Sequence, residues 1–331
     1  MKRVAVIGAG LSGLTLAREL QSSAEVVVFE KSRGFGGRMA TRTRGDYRFD
    51  HGAQYFTCRS HEFDAFLQPL IEQGVVARWD ARFVELDRHR TAQQRNWSAE
   101  HPHYVAVPGM NALGKTLAAD LDVRLETRVA AIQSTAQRAD TRWHLSGDDG
   151  ESLGSFDWVI SGIPAAQTNA LLPAVFSHHE LIANRQMLGC YTLMLGFEGS
   201  LPLPWDAALV RDADISWISV DNSKPGRGSS NTLVVHSTNE WAEARMDQDR
   251  QTVTEHLLDE LSSVLGAKLP QAGHIELHSW RYANIGSQQG DKALIDAPNR
   301  LAAIGDWCIK GRVESAFLSA IQAARELQPM L

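Results

Sequence analysis

The sequence predicts an α/β protein, a parallel sheet with helices and a second, mixed-sheet domain inserted into it. Three observations predict this. A glycine-rich turn, Gly8-Ala9-Gly10-Leu11-Ser12-Gly13, links an apolar run to an amphipathic segment. The middle of the chain changes to strand-like runs with turn residues between them, and the C-terminus returns to a strand followed by a helix.

Taken in order, residues 3–7 and 25–30 read as short strands around a helix over 11–22, a β-α-β unit whose connection makes the strands parallel. A helix is expected over 111–119 and strands over 123–132, 143–145 and 156–161. Strands over 189–197, 215–220 and 232–237 suggest an antiparallel or mixed sheet. The Gly, Pro and Ser content of residues 223–230 reads as a loop, with an exposed linker as its plain interpretation. A helix over 248–265, a strand over 275–282, a strand over 301–304 and a helix over 313–327 complete the expectation.

With 331 residues the chain is long enough for about two domains and a sizeable core. A net charge of −6 and a pI near 6.1 give no reason to expect nucleic acid or an anionic membrane as partner. Cys58, Cys190 and Cys308 are odd in number and far apart, so neither a disulfide framework nor structural zinc is expected. The pairs His101/His103 and His178/His179 lack a third ligand and read as surface histidines, and no metal is expected. No apolar run approaches the roughly 18 residues a membrane helix needs. The basic start Met1-Lys2-Arg3 mimics a signal peptide, but glycines interrupt the apolar stretch and Arg18-Glu19 follow it, so the expected location is cytoplasmic.

The glycine turn carries a chemistry. Gly8 permits the tight turn, Gly10 lets backbone approach a pyrophosphate, and Gly13 allows close helix packing, while free N–H groups at Leu11 and Ser12 face the anion. Glu30 ends the second strand, where a carboxylate accepts the hydroxyls of an adenosine ribose. Lys31 opens a second glycine-rich segment that runs through Gly36-Gly37 to Arg38, an arginine able to pair with phosphate. Far along the chain, Gly305-Asp306 to Arg312-Val313-Glu314-Ser315-Ala316 forms another strand-to-helix junction. One ligand touched by both ends would be long, and a helix start there would favour negative charge on the pyrimidine edge of a flavin. FAD fits better than NAD.

On these motifs, together with Gly36-Gly37-Arg38-Met39, Asp50-His51-Gly52-Ala53-Gln54-Tyr55-Phe56-Thr57 and Pro108-Gly109-Met110, the chain resembles the amine-oxidase-like FAD family, and within it the bacterial renalase-like branch. The resemblance spans nearly the whole chain. It implies an FAD-binding domain from residues 1–58, 100–165 and 295–331 and a substrate domain from 59–99 and 166–294. It implies that Glu30 holds the adenosine ribose, Arg38 the phosphates, Val129 the adenine and Asp306 the ribityl-phosphate region, with Gln54, Tyr55 and Met110 near the flavin. Isolated Cys308 and His51 lack an activating context for covalent attachment, so FAD is expected to be noncovalent.

Flavin amine oxidases commonly place a lysine beside the flavin on a strand of the second domain, and residues 189–197 contain none. Hydride transfer to a flavin needs a positioned donor C–H rather than a protein nucleophile. The renalase-like resemblance implies oxidation of the 2- and 6-dihydro isomers of NAD(P), with dioxygen reduced to hydrogen peroxide. It also implies substrate contacts from Asn222, Lys224 and Arg227, and from His236 toward the nicotinamide carboxamide. An aromatic wall is expected from Trp217, Trp241, Trp280 and above all Tyr282. The alternatives are an amine oxidase or desaturase on the same scaffold, and a binding protein similar to the GDP dissociation inhibitors.

Overall fold

The computed structural model describes residues 1–134 and 143–331. Its first sheet has six strands in the order Leu294–Asp296, Leu301–Ala303, Trp158–Ser161, Lys2–Ile7, Ala24–Phe29 and Asp122–Arg124. All neighbours are parallel except the edge strand Leu294–Asp296. The strand next to the N-terminus is thus central, and a strand some 300 residues later joins the same sheet.

The unbroken apolar runs of these strands mark a sheet covered on both faces. Alternation decides which residue goes where. Val4, Val6, Val26, Val28 and Ile160 pack with Leu14, Leu16, Ala320 and Ala324 of the helices Leu11–Leu20 and Val313–Leu327. Ala5, Ile7, Val27, Phe29 and Val159 pack with Ile132, Trp143, Leu145 and Phe156 of a three-stranded antiparallel sheet, Ala131–Ser134, Trp143–Ser146 and Ser152–Phe156.

The second large sheet has seven strands in the order His274–Asn284, Leu188–Phe197, Asn231–Ser237, Ile215–Val220, Ala207–Arg211, Arg82–Asp87 and Arg90–Asn96. It is mixed: Ala207–Arg211 runs parallel to Arg82–Asp87 and the other pairings are antiparallel. Leu193, Leu195, Leu233, Val235 and Ile218 bury one face against Val253, Leu257 and Leu261 of the helix Arg250–Leu265. That helix starts where the Asp249 side chain accepts the Thr252 N–H and stops at Gly266 in the left-handed region.

Three expectations change. The strand expected over 123–132 is two strands in different sheets, because Glu126 takes a positive φ and the Thr127 N–H turns to the Glu30 carbonyl. The run over 156–161 divides at Asp157, whose carboxylate accepts the Arg3 N–H. Residues 223–230 are not exposed throughout: Gly226, Gly228 and Ser229 face solvent, but Lys224 and Arg227 are each 2% exposed. Strand Arg90–Asn96 escaped sequence reading since all of its residues are exposed and no apolar alternation betrays it. Among the described residues, no helix is long and apolar enough to cross a membrane.

Candidate functional site

A cleft of about 1580 Å³ runs from the C-terminal ends of the parallel strands to the seven-stranded sheet. Drug-sized pockets measure roughly 300–1,000 Å³, so this one has room for a long ligand and a partner beside it.

At the first end, Gly8 adopts φ +105° and donates its N–H to the Phe29 carbonyl at 2.7 Å. A Cβ on Gly13 would lie 2.0 Å from the Gly8 carbonyl oxygen, so strand and helix touch there. A Cβ on Gly10 would meet nothing within 4 Å, because Gly10 faces the cleft. Leu11 and Ser12 also line it, at the start of a helix with no side-chain cap. The Gly36 N–H donates to the Ala9 carbonyl at 2.9 Å, which lays the second glycine-rich segment beside the first and brings Lys31, Gly37 and Met39 to the wall.

Glu30 is held from both sides: Oε2 accepts the Ala9 N–H and Oε1 the Ser32 N–H, each at 2.8 Å. Its remaining lone pairs and Val129 face the same space. Arg38 and Asp306, 268 residues apart, form a two-pronged ion pair, with Nη1 donating to Oδ2 at 2.9 Å and a second, shorter bond between Nη2 and Oδ1. Gly305, Arg312, Val313 and Ala316 line the adjoining wall, where the helix Val313–Leu327 begins, again without a side-chain cap. Two open helix N-termini therefore converge on one cleft.

The far wall is aromatic. Tyr55 lies 4.9 Å from the rings of Trp97 and His103 and 5.5 Å from Trp217, and His103 stacks on Trp97 at 3.7 Å. Gln54, His236 and Tyr282 complete it. Burial, with the nearby Lys224 charge, pushes the His236 imidazole down to about 3, and burial also lowers His103 and raises Tyr55. These groups are uncharged at neutral pH. The carboxylates lining the cleft are engaged: Glu314 accepts the N–H groups of Arg59 and Ser60 and the Ser60 hydroxyl, Glu30 and Asp306 as above. Among the described residues, Lys31 is the one lysine on the lining.

Several expected site residues lie elsewhere. Gly13 and Met110 are buried behind the wall, where the Met110 N–H donates to Asp50. Asn222 bonds Asn231 and the Thr232 N–H. Lys224 and Arg227 point into the protein, toward Asp50 and Asp221, because two buried carboxylates need cations. Trp241 stacks on His256 at 4.8 Å in the core of the second sheet. Cys308 lies off the lining, its thiol pushed up to about 12 by burial.

Other residues were missed. His103 is no surface histidine but part of the aromatic wall, held by the Trp97 ring. His178 and His179 are half-buried, and His179 is bonded by Asn169 and the Pro173 carbonyl. His51, His278 and Arg42 line the cleft, with His51 stacked on Trp280 at 5.3 Å. His51 stood within a quoted motif, whereas nothing local marked His278.

The glycine turn with its strand-end acid, two open helix starts and a closing mixed sheet define a two-domain scaffold for a dinucleotide cofactor. Residues 79–328 match the family described as flavin containing amine oxidoreductase, and residues 6–70 an NAD(P)-binding Rossmann-like domain. The chain belongs to the flavin containing amine oxidoreductase family, which makes it a flavin-containing oxidoreductase by membership. Among solved structures it is similar to a candidate protoporphyrinogen oxidase from Exiguobacterium sp. 255-15, at TM-score 0.78 and 13% identity over 100% of this chain and 99% of that one. A reduced UDP-galactopyranose mutase follows at 0.76 and 11%, over 100% and 94%. A putrescine oxidase redesigned at its cofactor site gives 0.69 and 13%, over 100% and 99%. At such identities the likeness is one of fold.

Proposed function

We propose that the chain is a renalase-like oxidase with noncovalent FAD, working in the cytoplasm, that converts the 2- and 6-dihydro isomers of NAD(P) to NAD(P)⁺. The observation that carries this reading is the far wall. It is aromatic and uncharged, and the carboxylates elsewhere on the cleft lining are already engaged, so it offers a planar neutral ring more than it offers an ammonium group.

In this reading Glu30 binds the adenosine ribose, and the turn around Gly10, the start of helix Leu11–Leu20 and Arg38 bind the phosphates. The FAD-binding part comprises residues 1–58, 100–165 and 295–331, and the substrate part 59–99 and 166–294. When bound, the flavin supplies a hydride acceptor that returns its electrons to dioxygen. Overall, a hydride leaves the dihydropyridine, a proton comes from solvent, and O₂ takes both to become H₂O₂. Tyr55, Trp217 and Tyr282 hold the ring flat and exclude water, and His236 donates to its carboxamide. Arg312 and Arg59, which line the cleft, replace Asn222, Lys224 and Arg227 as candidates for the substrate phosphates.

Anaerobic stopped-flow mixing of the purified flavoprotein with a panel of dihydronicotinamide isomers and primary amines tests the proposal. Bleaching of the flavin absorbance by the isomers and not by amines is expected. Rapid bleaching by an amine, with indifference to every dinucleotide, would reject it.

A further inference from the structure

Lys224 is fully buried, yet it reaches the cleft through one intermediary. Its Nζ donates to Gln54 Oε1 at 3.2 Å, and the Ser219 hydroxyl donates to the same oxygen at 2.7 Å. Two donors on one oxygen fix which way the amide faces. The Gln54 nitrogen, with two protons, is then turned toward the Asp50 carbonyl and the Gly52 carbonyl at 3.0 Å, and it also faces His236 Nε2 at 3.3 Å. An amide nitrogen does not accept, so a proton on Nε2 would face a donor, and the arrangement favours a bare Nε2. The proton of a neutral His236 therefore sits on Nδ1, which has no hydrogen-bond partner among the described residues, on a side chain that lines the cleft.

We propose that Lys224 is a positioning residue: through Gln54 it sets the His236 tautomer, so that the cleft presents a neutral Nδ1–H donor to an acceptor oxygen on the substrate. Lys224 itself is anchored by Asp221 and Asp50 and lies against the Trp79 ring at 5.2 Å, so the relay has a rigid base. The substrate class follows from the polarity of the donor. A carboxamide or other carbonyl oxygen is recognised, and an ammonium group, itself a donor, is not. That class rests on the proposed function; the tautomer does not.

The test reads the tautomer directly, by ¹⁵N chemical shifts of histidine-labelled holoprotein at pH 7, with His236 assigned from its loss in His236→Gln. The proton is expected on Nδ1. In Gln54→Glu the new carboxylate cannot donate, and the proton is expected to move to Nε2. In the paired change Lys224→Met with Asp221→Asn, which removes one buried charge of each sign, the His236 signal is expected to become a mixture of tautomers. KM for the dihydronicotinamide isomer then rises in inverse proportion to the remaining Nδ1–H fraction, about twofold for an even mixture, with kcat nearly unchanged. A wild-type proton on Nε2 overturns the proposal, as does a folded Lys224 variant with His236 unaltered. If the paired variant does not fold, the wild-type and Gln54→Glu spectra decide. A wild-type enzyme with the expected tautomer that ignores dihydronicotinamides sinks the substrate reading and leaves the relay standing.

Discussion

Two glycines of one turn separate folding from binding. Gly13 has no room for a methyl group against the Gly8 carbonyl, so Gly13→Ala forces strand and helix apart. We expect a loss of at least about 3 kcal/mol in urea unfolding, the upper part of the overpacking range. Gly10 has φ −78°, which alanine adopts freely, and open space before it. Gly10→Ala should leave the unfolding midpoint of the apoprotein within about 0.5 kcal/mol of wild type while lowering the flavin-to-protein absorbance ratio after gel filtration. Wild-type retention of flavin by Gly10→Ala would remove the turn from the binding site.

Helix starts show how distant segments are tied together. Glu314, in the first turn of Val313–Leu327, accepts the Ser60 N–H at 2.7 Å and the Arg59 N–H at 3.2 Å, next to the start of the helix His61–Glu72. Glu314→Ala strands two backbone donors and should cost about 2–3 kcal/mol in chemical denaturation, whereas Glu314→Gln keeps an acceptor and should cost less than about 1 kcal/mol. Indistinguishable values for the two variants would mean that water satisfies those amides. The loop holding Lys224 and Arg227 makes the same point more strongly. Burial alone would raise the Asp50 carboxyl, but these two cations hold it below the usual carboxylate range. Removing Lys224 alone should cost about 3–5 kcal/mol, since it leaves a buried carboxylate short of a cation.

For the whole molecule, buried neutral imidazoles set a limit at acid pH. His51 and His236 are both held at about 3, chiefly by burial, against 6.5 for a free imidazole. The unfolded chain takes up these protons first, so stability is complete above about pH 6.5 and is lost as pH falls toward 3. Between roughly pH 6 and 4 the two groups together contribute a slope of about 2.7 kcal/mol per pH unit. Urea midpoints measured from pH 7 to 4.5 should fall accordingly, and His236→Gln should remove about half of that slope. A flat profile over that interval would place both imidazoles in contact with solvent.

The first β-α-β unit was legible from local sequence because its signals are local: an apolar run, glycines at fixed offsets and a period of 3.6 lie within 30 residues. The helix over 313–327 was legible for the same reason. By itself the sequence determined the α/β class, the glycine turn and the acid at the end of the second strand. Tertiary structure alone decided that Arg38 meets Asp306, that His103 and His278 join the cleft, and that Lys224 faces inward. A lysine in a Gly- and Pro-rich loop looks solvated until two carboxylates from other parts of the chain are buried beside it. Local propensity is written along the chain, whereas the pairing of charges is settled by which segments the packed sheets bring within a few ångströms.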